Sequence, residues 1–219
     1  MSLLNQSHTP TRRRPLRLPH YDYTSPGAYF LTTCTHRRAP IFGQIADDAM
    51  DLNLFGEAAE SCWLDLPSHY PNTNLDAFVV MPNHVHAILI LEDVSRPAHG
   101  LSEVVRGFKT FSARRINTLR ATAGKPIWQR GYHEHIVRGE SALQKIRDYI
   151  AANPARWAVD RNNPGCAPAI RTGLKPTPTV NNVHTPVPAV GAGFKPVRMA
   201  GAHPGLLRST AQRAGFAAM

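Results

Sequence analysis

Residues 84–91 read His-Val-His-Ala-Ile-Leu-Ile-Leu, a strongly apolar run of strand length. Just before it, Leu75–Val80 (LDAFVV) is a second strand-like run, and Met81-Pro82-Asn83 between them is a turn. The pair predicts a β-hairpin, and the rest of the chain has to be arranged around it. Ala28–Thr35 (AYFLTTCT) is rich in aromatic and β-branched residues and predicts a strand. Between it and the hairpin, Asp47–Ser68 carries Leu52, Phe55, Ala59, Cys62, Trp63 and Leu66 at helical spacing, with acidic residues in the first turn. After the hairpin, Val104, Val105, Phe108, Phe111, Ser112, Ile116 and Leu119 form one stripe of a second helix, with Ser102 as its candidate cap. Trp128–Arg138 predicts a strand, bulged at Gly131. Glu140 or Ser141 opens a last helix striped by Leu143, Ile146 and Ile150, and Pro154 ends it near Asn153.

The predicted order is β-α-β-β-α-β-α. Its first six elements are those of a split β-α-β, ferredoxin-like α+β sandwich with an antiparallel sheet. The first two helices would cover one face of that sheet. The last helix is an addition whose place the pattern leaves open.

Charge divides the chain. Of its 219 residues, 25 are Lys or Arg and 15 are Asp or Glu, a net charge of +10. Residues 1–20 hold Arg12, Arg13, Arg14 and Arg17 and no acid, and predict an extended basic arm. Residues 161–219 hold seven basic residues, no acid, eight Pro and seven Gly, and predict a basic low-complexity tail. The folded domain is expected over 21–160. Within it the basic excess lies in the second half, where Arg106, Lys109, Arg114, Arg115 and Arg120 sit mostly off the apolar stripe of the second helix. Arm, helix face and tail together suggest a polyanionic partner, nucleic acid.

Other classes are set aside by what the sequence lacks. No 18-residue apolar run marks a membrane span, and the first residues lack the basic-then-apolar order of a signal peptide. Three widely spaced cysteines, Cys34, Cys62 and Cys166, give neither a disulfide framework nor a Cys-x-x-Cys metal site, so a reducing cytoplasm is expected.

Two constellations could do chemistry. His84 and His86 stand at i and i+2 of a strand, on one face and about 7 Å apart along it. They are either two hydrogen-bonded histidines at a strand end or two ligands of one divalent metal. A second pair, His133 and His135, lies in a more polar stretch beside Glu134, where the first reading is the stronger. Tyr149 and Asn153 stand one helical turn apart. They are either a core-edge tyrosine and a helix-terminal asparagine, or a nucleophile with an amide ligand beside it. Taken together, two histidines and an amide oxygen suit Mg²⁺ or Mn²⁺. A metal-polarised phosphodiester would let a phenol of pKa near 10 attack it.

The motifs resemble a known family. Val79-Val80-Met81-Pro82-Asn83-His84-Val85-His86 looks like the HUH motif of single-strand tyrosine transposases, in which U is hydrophobic. Tyr23-x5-Tyr29-Phe30-Leu31-Thr32 and Arg37-x3-Ile41-Phe42-Gly43 look like their amino-terminal signature. Trp128-Gln129-Arg130-Gly131-Tyr132-His133-Glu134-His135, followed by Ile146-x2-Tyr149-Ile150-x2-Asn153-Pro154, resembles the REP-associated tyrosine transposase branch. The resemblance spans roughly residues 14–157.

It implies a metal-dependent enzyme that cuts and rejoins single-stranded DNA beside palindromic hairpins through a 5′-phosphotyrosine. By position, Tyr149 is then the nucleophile, and His84, His86 and Asn153 are metal ligands. Arg12, Arg13, Arg14, Arg106, Lys109, Arg114, Arg115 and Arg130 are the expected DNA contacts. The implied partner is single-stranded or hairpin DNA, with no membrane, for a monomer or homodimer in the cytoplasm at the nucleoid. A non-catalytic hairpin-binding protein and a metal-dependent hydrolase are the competing readings. Because histidine ligands must be neutral, activity is expected to fall below about pH 6.

Overall fold

The computed structural model describes residues 17–93 and 99–166. The expected arm residues Arg12, Arg13 and Arg14, and the tail beyond residue 166, lie outside the described residues.

The central sheet has four strands: β1 (Gly27–Cys34), β4 (Thr73–Met81), β5 (His84–Leu91) and β6 (His133–Val137). Their order is β4-β5-β1-β6, every neighbouring pair antiparallel. That is the strand order and pairing expected of the split β-α-β sandwich. The remaining strands and α-helices among the described residues are β2 (Gly43–Ala46), β3 (Ala49–Leu52), α1 (Leu54–Leu64), α2 (Leu66–His69), α3 (Leu101–Leu119) and α4 (Glu140–Ala151).

All eight residues of β5 are buried, because both faces of the sheet are covered. On one face, Val85, Ala87, Leu89 and Leu91 join Tyr29 and Leu31 of β1. These pack under Ala58, Ala59 and Trp63 of α1 and Val104, Val105, Phe108 and Ile116 of α3. On the other face, Ile88 and Ile90 join Ala28, Phe30 and Val137 under Leu143, Ile146 and Ile150 of α4. The last helix thus has a defined place: it closes the second face. His84 and His86 continue the Ile88/Ile90 row, so the same alternation that builds this smaller core delivers both imidazoles to its end.

Three expectations need correction. The helix expected over 47–68 starts only at Leu54. Its amino-terminal part is a β2–β3 hairpin whose turn residues, Asp47 and Asp48, both adopt left-handed φ (48° and 59°). Such a turn suits strand twist, and aspartate tolerates it. The acids that looked like a first helical turn are therefore turn residues. Asn53 caps α1 instead, its Oδ1 accepting from the N–H of Phe55 (2.9 Å) and Gly56 (3.1 Å).

Similarly, α3 starts after Gly100, and the Ser102 hydroxyl lies 3.3 Å from that of Tyr132. The strand expected over 128–138 shrinks to β6. Trp128 makes one isolated bridge to Thr35 and buries its ring, with Nε1 donating to Ser112 Oγ at 2.9 Å. Gln129 still donates its N–H to the Cys34 carbonyl of β1 at 2.9 Å, while the three carbonyls of residues 129–131 turn to the Lys109 ammonium.

In β4, two residues, Asp76 and Ala77, stand opposite one residue of β5. Such a bulge re-aims a side chain. Here Asp76 takes a two-point ion pair from Arg147 of α4, with Nε–Oδ1 at 2.9 Å and Nη2–Oδ2 at 2.6 Å. The pair pins the helix that carries Tyr149.

Candidate active site

The edge-to-centre register places the site. Cys34 and Met81 flank His84, and Thr32 and Val79 flank His86. The two imidazole centroids are 4.5 Å apart. Each ring is oriented by a hydrogen bond at Nδ1. The His84 Nδ1 is 2.9 Å from Asn83 Oδ1. The Asn83 amide is itself fixed, because its Nδ2 donates to the carbonyls of Arg38 and Asn162. Its Oδ1 must therefore accept, so His84 carries its proton on Nδ1 and a lone pair on Nε2. His86 Nδ1 pairs with Thr32 Oγ1 at 2.8 Å, which turns Nε2 toward α4.

Tyr149 arrives from α4. Its hydroxyl is 3.4 Å from His86 Nε2, and its ring stands edge-on to Phe30. Burial raises the phenol above its usual pKa, so the hydroxyl needs positive charge nearby to act as a nucleophile. Asn153, 3 % exposed, donates its Nδ2 to the Tyr149 carbonyl at 3.0 Å. It ties the last turn of α4 to the residues that follow.

Those following residues were missed by sequence reasoning. A 3-10 turn over Pro154–Val159 leads the chain back across the site, with Trp157 packed 6.1 Å from His84. Asp160 Oδ2 then lies 3.7 Å from His84 Nε2. The packed chain runs past residue 160, where the tail was expected to begin. Asn162 and Cys166 are buried, and the Arg161 and Asn162 carbonyls accept from Arg38 and Asn83. A lone Asp and Arg beyond the last predicted helix carry no periodic signal that could have found them.

A polar cavity of about 150 Å³ opens against Tyr149, lined among others by Thr32, His86, His133, His135 and Arg161. The second histidine pair thus faces the same cavity as His86, through the pairing of His133 with Thr32 and His135 with Phe30.

The site suits a divalent cation. His84 Nε2 is fully buried and finds no hydrogen-bond partner among the described residues. One ligand atom from each of His84, His86 and Asp160 lies within 4.8 Å of the others. Two imidazole nitrogens and an oxygen are an ordinary donor set for such an ion.

Burial is the main reason both histidines are held neutral, His84 well below 6.5 and His86 at about 3. The unfolded chain therefore takes up their protons first. The stability that comes from keeping them neutral is full above about pH 6.5 and is lost as pH falls toward the folded values. His86 alone is expected to cost about 2 kcal/mol by about pH 5. Urea unfolding in EDTA at successive pH values measures this, and a midpoint unchanged on acidification would contradict it. The rings themselves stay neutral in the fold below pH 6. Acid is thus expected to act through unfolding, where the sequence suggested simple loss of the ligands.

The basic residues separate into groups. Arg106, Arg114, Arg130 and Arg17 of the expected basic arm line a groove of about 1310 Å³ along α3, on the sheet face opposite Tyr149. Lys109 also lines it, but gives its ammonium to the carbonyls of residues 129–131. Arg115 lies outside this lining and donates from Nη1 to Ser61 Oγ of α1 at 3.0 Å. Tyr132 in the groove and His133 in the polar cavity are adjacent in sequence, so the two meet around the edge of the sheet. No helix among the described residues is long and apolar enough to cross a membrane.

Comparison with known proteins places the chain among DNA-mobilising proteins. The family described as transposase IS200 like matches residues 28–153. A protein of Haemophilus influenzae without an assigned activity is 36 % identical over 170 residues, covering 68 % of this chain and 92 % of that one. A second H. influenzae protein, named as a candidate REP-associated tyrosine transposase, is 26 % identical over 141 residues, covering 62 % and 74 %. Among solved structures, a REP-associated tyrosine transposase bound to a REP hairpin superposes with a TM-score of 0.48 at 21 % identity. It covers 64 % of this chain and 73 % of that one.

Proposed function

Since the chain belongs to the IS200-like transposase family, we propose that it is a tyrosine strand transferase acting on single-stranded DNA beside a hairpin, as its REP-associated relative's name suggests. The observation that carries this reading is the Tyr149 hydroxyl 3.4 Å from His86 Nε2, at the mouth of a polar cavity.

Tyr149 Oη attacks the phosphorus, and the bond from phosphorus to the 3′-oxygen breaks. The strand's 5′-phosphate stays on the tyrosine, the 3′-oxygen leaves as a hydroxyl, and the net proton moves from phenol to leaving group. Arg161, His133 and His135 line the cavity and offer N–H donors to the phosphate oxygens. Thr32 and Asn83 hold the two imidazoles so that both present Nε2. A Mg²⁺ or Mn²⁺ bound by those nitrogens, with an oxygen from Asn153 or Asp160, would supply positive charge to the reacting phosphate. The α3 groove, with Arg17, Arg106, Arg114 and Arg130, takes the DNA flank.

The test is a labelled single-stranded hairpin from the flanking locus, incubated with the protein and Mn²⁺ and run on a denaturing gel. A protein-linked label that EDTA abolishes is expected. Cut strands without linked label would make the protein a hydrolase. A native-gel shift without cutting would make it a hairpin-binding protein.

A further inference from the structure

His84 and Asp160 pose a problem that the protein atoms leave unsolved. The Asn83 amide donates both to the Arg38 carbonyl at 2.9 Å and to the Asn162 carbonyl at 2.7 Å, which leaves its oxygen facing His84 Nδ1. His84 Nε2 is then an acceptor, wholly buried, with no hydrogen-bond donor among the described residues. What faces it at 3.7 Å is another acceptor, the Oδ2 of Asp160. The other carboxylate oxygen is taken by the N–H of Asn162 at 2.6 Å, so the group is held in place. The Asp160 side chain is 7 % exposed. Two lone pairs aimed at each other in so buried a site repel unless a proton or a metal cation lies between them.

His86 supplies the third direction, its Nε2 turned to the same side by the Thr32 bond at Nδ1. The ligand atoms of all three residues lie within 4.8 Å. Ligands of an octahedral ion at about 2.1 Å sit roughly 3–4.2 Å apart, so a small closure completes the set. The two-His, one-carboxylate arrangement leaves further positions open. Asn153 is held at the end of α4, with its amide nitrogen bonded to the Tyr149 carbonyl.

We propose that Asp160 is the third protein ligand of the divalent cation, in the place expected for Asn153. This rests on the reading of His84 and His86 as metal ligands given above. The metal then joins β5 to the segment after α4, while Asn153 acts as a positioning residue at the end of the helix that bears Tyr149. A carboxylate in the set also gives the protein a cation site before DNA arrives.

The test uses the full chain without DNA and Mn²⁺ alone, followed by electron paramagnetic resonance and by thermal midpoint. Wild type is expected to bind one Mn²⁺, which raises its midpoint. Asp160→Asn keeps the shape and the Asn162 contact. It should weaken Mn²⁺ at least about tenfold and lose the metal-dependent rise. Its midpoint in EDTA should equal or exceed that of wild type, because an amide can donate to His84 Nε2. Asn153→Ala should keep the wild-type affinity.

The reverse pattern, with affinity lost in Asn153→Ala and kept in Asp160→Asn, would overturn the assignment. So would absence of Mn²⁺ binding until DNA is added while cleavage still needs His84, an outcome that leaves the proposed function standing. Cleavage unaffected by His84→Ala would instead remove the metal reading on which both rest.

Discussion

Tyr149→Phe is expected to abolish the covalent protein–DNA adduct and to slow strand cleavage by at least about 10⁴-fold, the scale seen when a nucleophile is deleted. Hairpin binding should stay within about twofold. The side chain makes these expectations separable. Its ring packs edge-on against Phe30 and His86 at centroid distances of 6.0 and 5.3 Å, and phenylalanine preserves that packing. The hydroxyl lies 3.4 Å from His86 Nε2 and beside the Asn153 side chain. The basic groove lies on the other face of the sheet, along α3, and the substitution does not touch it. Denaturing and native gels run on the same samples measure both quantities. An adduct that persists in the variant would place the nucleophile elsewhere and undo the assignment.

Arg147→Met is expected to destabilise the fold by about 3 kcal/mol, roughly 10 °C in Tm for a domain of this size. The Asp76 side chain is 5 % and that of Arg147 16 % exposed. Burial by itself pushes the Asp76 carboxyl up, but the hydrogen bonds from Arg147 and from the Ala77 N–H, with the guanidinium charge, together outweigh it, so the group sits below its usual value. Removing the guanidinium leaves that carboxylate buried without its cation. Activity should fall as well, because the pair anchors the helix two residues before Tyr149 to the β4 bulge. The double variant Asp76→Leu/Arg147→Met should recover much of the lost stability, since the buried charge is then gone. Urea unfolding of the three variants reads this out. A double variant no better than Arg147→Met alone would show that the loss came from packing and not from the orphaned acid.

Much of this architecture was legible in the sequence. The strand cores of β1, β4 and β5, and the α3 and α4 stripes, follow from local alternation and periodicity. The hairpin put His84 and His86 on one face without any tertiary knowledge. Tyr149 and Asn153 followed from helical spacing. Where local signals competed, the reading failed. Asp47 and Asp48 fit a helical first turn as well as a hairpin turn, and it is the β2–β3 pairing that decides. Trp128 and residues 129–131 have strand character, but the core claims the indole and Lys109 claims the carbonyls.

The sequence by itself determined the order of elements, the face on which each reactive side chain lies, and the separation of basic from acidic halves. All of these are set by neighbours within a few residues. Only the tertiary structure decided that α4 closes the second sheet face, and that Arg106 and Arg114 line an open groove while Lys109 is consumed by a loop. It alone brought Asp160 and Arg161 back to a strand more than seventy residues earlier. Such pairings depend on how covered faces and buried polar groups are satisfied across the whole fold, and no periodicity records them.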